Sequence, residues 1–205
     1  MRLRPAGQGG CRRLSSTRLA IRQVEGRSGP YGLPSLGGVV TAGPDGRFEA
    51  AHVLGRVTFS TLDDEWMVKA VTAGGADVLD RGIDLSRTEA VNGVRITVTN
   101  RLATIAGRVA DGGEPLSDFL VVLLRLDGVT PDALGLRTVR TDASGRFETS
   151  KLRPGSYVAG VVEDLAQGYH LSPEFQDRLR ERGQRFALGD GERVQLELIP
   201  TPGLE

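Results

Sequence analysis

Gly145-Arg146-Phe147-Glu148 repeats Gly46-Arg47-Phe48-Glu49 at an offset of 99 residues (145 − 46). Working outward, Val94, Ile96 and Val98 recur as Val194, Leu196 and Leu198, an offset of 100 (194 − 94). The extra residue is visible in between: His52-Val53-Leu54-Gly55 in the first copy becomes Lys151-Leu152-Arg153-Pro154-Gly155 in the second. One strand-and-turn block present twice at this spacing reads as two tandem modules of about 100 residues each.

The second module gives its strands most clearly. Thr104 to Val109 reads as a first strand, followed by the turn residues Asp111-Gly112-Gly113-Glu114-Pro115. Phe119 to Leu126 is nearly continuous apolar sequence, as a strand deep in a sandwich requires. Leu136 to Thr141 and Arg146 to Thr149 flank Asp142-Ala143-Ser144-Gly145, which reads as a hairpin connection. A tight turn at Arg153-Pro154-Gly155 leads into a strand over Ser156 to Glu163. In the closing strand, Arg193 to Ile199, apolar Val194, Leu196 and Leu198 alternate with Arg193, Gln195 and Glu197, so one face is buried and one wet. The exception is a helix near 173–182. Ser172 is its N-cap, Pro173 its first residue, and Phe175 and Leu179 form a short stripe that packs on the sandwich.

The first module repeats the later half of this plan, with strands at Val57 to Ser60, Trp66 to Val71 and Val94 to Thr99. Its start differs. Met1 to Pro5 matches the end of the strand that Leu123 to Leu126 completes, and nothing corresponding to Thr104–Val109 precedes it. Residues 6–40 form a Gly-rich expanded loop with an extra strand over Thr17 to Val24. The expectation is an N-terminally truncated module over 1–99, its sheet edge left open, and a complete one over 100–205.

Thr141 to Val161 resembles the carboxypeptidase regulatory-like domain, through Thr-Asp-x-x-Gly-Arg-Phe-Glu and then Leu-Arg-Pro-Gly-Ser-Tyr-x-x-x-Val. Asp45-Gly46-Arg47-Phe48 is the first copy's version, without the Pro and with Val57 where Tyr157 stands. The likeness extends over 42–200. It implies an all-β fold of two Ig- or transthyretin-like seven-stranded β-sandwiches, related to collagen-adhesin B-type repeats and starch-binding-like domains. It further implies a non-catalytic spacer or adhesive module of a larger exported bacterial protein, located outside the cytoplasm and meeting a protein or glycan at the cell envelope. A carbohydrate-binding module is the alternative, and an accessory domain of a metallocarboxypeptidase comes third.

The ionisable residues agree with a non-enzyme. His52 and His170 are the only histidines, in separate modules, and neither begins a His-x-x-Glu pair. A zinc site needs at least three protein ligands, so no metal and no cofactor is expected. Cys11 stands alone among Gly9, Gly10, Arg12 and Arg13, without a base at hand. Asp63/Asp64 and Glu163/Asp164 fall at strand ends, where carboxylates solubilise loops. No catalytic residue is assigned. Sugar binding would fall to loop aromatics, Tyr31 or Tyr169, because Trp66 lies in an apolar strand and belongs to a core. The kinship with collagen-adhesin repeats raises a Lys–Asn isopeptide bond. Lys69 and Asn92 are the conceivable pair, although that family places its lysine on the first strand.

Formal net charge is zero, which removes the bulk electrostatic case for nucleic acid. No apolar run reaches the roughly 18 residues of a membrane span. The arginine-rich start has no apolar stretch and does not read as a secretory signal.

Overall fold

The computed structural model describes residues 2–5, 17–23, 35–86, 90–127, 135–166 and 168–204. Two compact units divide the chain, Met1–Arg101 and Leu102–Glu205. The protein is mostly β, with one short helix.

Unit 1 contains β1 (Arg2–Pro5), β2 (Arg18–Gln23), β3 (Ser35–Thr41), β4 (Arg56–Thr61), β5 (Met67–Ala73), β6 (Ala76–Asp77), β7 (Ile83–Asp84) and β8 (Arg95–Thr99). One sheet runs β3-β2-β4-β7 and the other β1-β8-β5-β6. Leu19 and Ile21 of β2 and Val57 and Phe59 of β4 meet Val68 and Val71 of β5 and Ile96 and Val98 of β8 in a single core, with Phe48 among them. Two-residue spacing in β2, β4 and β8 sends these side chains to one face, and in β5 a register shift between Val68 and Ala70 brings Val71 to the same face as Val68, which is what a two-sheet sandwich demands. Trp66 sits half-buried against this cluster instead of inside it.

The start of unit 1 departs from the expectation. β1 pairs in parallel with β8, Arg2 opposite Arg95 through Pro5 opposite Val98. It therefore holds the place of a first strand, not that of Leu123–Leu126. The missing first strand is present, four residues long. Short alternation of apolar and charged residues is common to many strands, so Leu3-Arg4 alone could not say which one it was. Nor is 6–40 only an expanded loop, because β2 and most of β3 lie in it. β2 is no extra strand either: it is central in its sheet, paired on both sides by β3 and β4.

Unit 2 contains β9 (Ala103–Asp111), β10 (Glu114–Pro115), β11 (Leu120–Arg125), β12 (Leu136–Arg140), β13 (Arg146–Leu152), β14 (Gly155–Val162), α1 (Pro173–Arg182), β15 (Gln184–Leu188) and β16 (Arg193–Leu198). In one sheet β9 is flanked by antiparallel β13 and parallel β16, and β10 folds back on the end of β9. The other runs β12-β11-β14-β15. Ile105 and Val109 face Val121, Leu123, Tyr157 and Val161 between the sheets. On the opposite face of the second sheet, Val122, Leu124, Val158 and Val162 pack against Phe175 and Leu179 of α1 and against Leu204. Burial of both faces explains why β11 is apolar almost throughout. The helix begins as its sequence requires: Phe175 N–H donates to the Ser172 hydroxyl at 3.2 Å, and Pro173 occupies the first turn.

The repeated block folds alike in both units. Gly43 N–H donates to Arg47 C=O at 2.8 Å and Gly46 N–H to Gly43 C=O at 2.9 Å; Asp142 N–H donates to Arg146 C=O at 2.8 Å and Gly145 N–H to Asp142 C=O at 2.9 Å. Gly145 has φ 71°, and a Cβ there would sit 2.6 Å from Val109 C=O, so both conformation and space require glycine. His52 and Lys151 take matching left-handed conformations, φ 59° and 61°. The turn at 142–145 is nevertheless not a hairpin. β12 belongs to one sheet and β13 to the other, so the turn carries the chain across the core.

Phe175→Ala removes the largest fully buried side chain among the described residues, and is expected to destabilise unit 2 by about 3–5 kcal/mol. Denaturation of the full chain should show an earlier unfolding step by circular dichroism. The fluorescence transition of Trp66, which reports unit 1, should stay in place.

Candidate functional site

The outer face of the β13-β9-β16 sheet forms an open polar recess of about 740 Å³. Register builds it in rows. Glu148, Ala106 and Gln195 stand side by side on the three strands, and Arg146, Arg108 and Glu197 form the next row. Ala106 is small enough for Arg193 to reach over β9. Its Nη1 and Nη2 meet the two Glu148 carboxylate oxygens at 3.1 and 2.8 Å. Beneath the recess, Gly107 brings β9, β16 and the core together: a Cβ there would lie 2.2 Å from Leu196 C=O and 2.8 Å from the Phe147 ring.

Electrostatics hold these groups away from neutral-pH proton transfer. The Arg193 hydrogen bond, then its charge, pulls the Glu148 carboxyl below the usual range, and Glu148 in turn raises the Arg193 guanidinium. Asp142 at the rim is lowered by the Ser144 hydroxyl, at 2.7 Å, and by the backbone N–H groups of Arg146 and Ser144. Asp164 is lowered first by the Leu165 N–H and then by Arg140. An acid or base works best near the operating pH, and these carboxylates are held ionised. Arg108 and Arg146 are neighbours across the β9–β13 pairing, and the Arg108 Nε is closed off from solvent without a hydrogen-bond partner among the described residues. The recess can receive a charged surface; it contains no nucleophile-and-base arrangement.

The residues singled out from the sequence are dispersed. His52 is exposed at a turn of unit 1, and His170 is half-buried in a 3-10 turn (Tyr169–Leu171) of unit 2, its pKa lowered by burial. Among the described residues no three His, Cys, Asp or Glu side chains come together as metal ligands do. Tyr169 is not an open platform: its ring meets Phe175 edge-on at 5.7 Å and 69°, half-buried against the helix cluster. Tyr31 and Cys11 lie outside the described residues. Lys69 and Asn92 are both exposed, whereas amide formation between them would need a desolvated, neutral amine. Asp63 accepts from Arg18 N–H at 3.2 Å, a structural use for a strand-end carboxylate.

The Arg193–Glu148 bridge escaped the sequence reading. Its signal was available as a small outward residue, Ala106, between two opposite charges, but only the register assembles the three. Tyr157 belongs to the motif quoted from the sequence, but its partners emerge only with the fold. Its hydroxyl donates to Arg153 C=O at 2.7 Å, its ring stacks on Phe186 at 5.6 Å, and burial raises its pKa.

No family model matches the chain, and no curated protein matches it. Solved structures to which the chain is similar include pilin subunits. The minor pilin of Streptococcus agalactiae is 14% identical over 91% of this chain and 84% of its own, with a TM-score of 0.33. The shaft pilin SpaA of Lactobacillus rhamnosus GG is 12% identical over 97% of this chain and 96% of its own, TM-score 0.33. The major pilin subunit BcpA of Bacillus cereus, as its D312A variant, is 8% identical over 92% of this chain and 61% of its own, TM-score 0.35. Similarity at this level carries no weight on function, which rests on the chain's own residues.

Asp142→Ala should lower stability at neutral pH. The folded-state pKa of Asp142 lies below its unfolded value, so its contribution is present above the unfolded value of about 3.9 and disappears as pH falls through the folded one. Thermal melts across pH should show parent and variant converging below about pH 4. A gap of constant size would contradict the assigned hydrogen bonds.

Proposed function

We propose that this chain is a non-catalytic structural or interaction module, made of two copies of one β-sandwich plan, and that it serves a larger exported protein at the cell envelope with a protein or glycan as partner. The observation that carries this reading is the state of the carboxylates at the broad recess of unit 2. Glu148 and Asp142 are engaged in ion pairs and turn hydrogen bonds and held ionised, a surface suited to contact and not to acid–base chemistry. The shared turn at 43–47 and 142–146, and the parallel pairing of first and last strands in each unit, support two copies of one module. Fold alone does not name the partner.

Two measurements test the reading. Antibody labelling of intact source cells should reach the protein; a purely cytosolic pool would overturn the envelope assignment. A hydrolase panel run with and without chelator should show no turnover, and a chelator-sensitive activity would overturn the non-catalytic one. Glycan binding decides the kind of partner. Tyr169→Ala should lower the melting temperature by loosening the Phe175 contact. Loss of glycan binding with an unchanged melting temperature would instead make Tyr169 a sugar contact.

A further inference from the structure

The two closing strands differ in their neighbours. β8 is paired on both sides, by β1 in parallel and by β5 antiparallel. β16 is paired only by β9 among the described residues. The cause is local to unit 2. The segment after β14 forms α1, on the outer face of the other sheet, where unit 1 makes the β5-β6 hairpin beside β8.

We propose that the exposed edge of β16 pairs antiparallel with β16 of a second copy, about a two-fold axis through Gln195. Backbone phase supplies the hydrogen-bonding groups. Thr104 N–H donates to Glu192 C=O at 2.8 Å, so the groups of Glu192, Val194, Leu196 and Leu198 face β9. Those of Arg193, Gln195 and Glu197 point to the open edge, and all three residues are exposed in the whole chain. The edge is straight, with no proline between Arg193 and Ile199 and no bulge in its pairing with β9, and so has few of the features that block strand addition.

Side-chain order selects the second copy as partner. Arg193 and Glu197 lie two residues either side of Gln195, with opposite charge. With Gln195 opposite its own counterpart, each Arg193 lies opposite Glu197 of the other copy, and Val194 lies opposite Leu196 at the edge of the core. Opposite charges placed directly across a strand pair stabilise it. A one-residue slip would put Val194 and Leu196 on the wet face. Glu197 makes no ion pair among the described residues, and the Arg193 guanidinium, which reaches over β9 to Glu148, swings back to the open edge to meet it. The contact is isologous, so it closes at two copies. A six-residue edge is small, so the dimer is weak and concentration-dependent. The pairing names a partner for the interaction module proposed above, but stands on β16 alone; its failure would leave that reading untouched.

The test uses the full chain carrying Cys11→Ser. Opposed residues of an antiparallel pair have Cα atoms about 4.5–5.5 Å apart, within the span of a disulfide. Gln195→Cys should therefore crosslink into a dimer at least about ten-fold faster than Glu114→Cys, an exposed control on β10. Sedimentation of the parent should show reversible dimer at concentrations on the order of 100 μM. Glu197→Arg should leave monomer, and its mixture with Arg193→Glu should restore the dimer, which a merely destabilised fold would not do. A parent that stays monomeric, or a dimer in which Gln195→Cys crosslinks no faster than the control, overturns the proposal.

Discussion

Each unit depends on laying its last strand parallel to its first. In unit 2, Val194, Leu196 and Leu198 fall into line beside Ile105, Gly107 and Val109, which completes the inner face against which the second sheet packs. Unit 1 repeats the device with β8 beside β1. Parallel neighbours cannot be joined by a tight turn, so everything between must travel out and return. The second sheet, the crossing turn at 142–145 and the helix all occupy that excursion. Pairing over such sequence distances is slow to form, and the local turns shared by both units shorten the search.

The helix sets the second difference between the units. In unit 2 the sheet it covers needs apolar side chains on both faces, and Val122, Leu124, Val158 and Val162 provide the outer set. In unit 1 the corresponding outer positions carry the smaller Ala20 and Thr58, both of them also buried. The segment beyond the second central strand of this sheet therefore differs between the units, α1 in unit 2 and the β5-β6 hairpin in unit 1. The same choice leaves β8 enclosed and β16 at an edge.

Elements specified by their own residues were legible in the sequence. α1 has its cap, its proline and its Phe175–Leu179 stripe within one segment, and its bounds were readable there. β9, β11 and β16 follow from alternation or from unbroken apolarity. Pairing was not legible in the same way. Asp142 to Gly145 specify a turn, but nothing in them says whether the strands on either side share a sheet. Arg2 to Pro5 could not be placed, because their position depends on β8, far along the chain. The recess suffered likewise: Arg193, Ala106 and Glu148 are ordinary residues until register aligns them. The place of Tyr169 was out of reach for a related reason, since the glycine beside it says nothing of the Phe175 ring that the fold puts against it.

The parallel closure has a mechanical consequence. The start of β9 and the end of β16 lie at opposite ends of one ladder, so tension drawn through unit 2 along the chain pulls these strands past one another. Every hydrogen bond of the ladder is then loaded together, in shear, once the tail held by Thr201 and Leu204 has peeled from its sheet. Strands joined at a hairpin would unzip one bond at a time. Between Thr99 and Ala103 only three residues intervene, Asn100, Arg101 and Leu102, so a pull passes from the ladder of one unit into that of the next with little slack to absorb it.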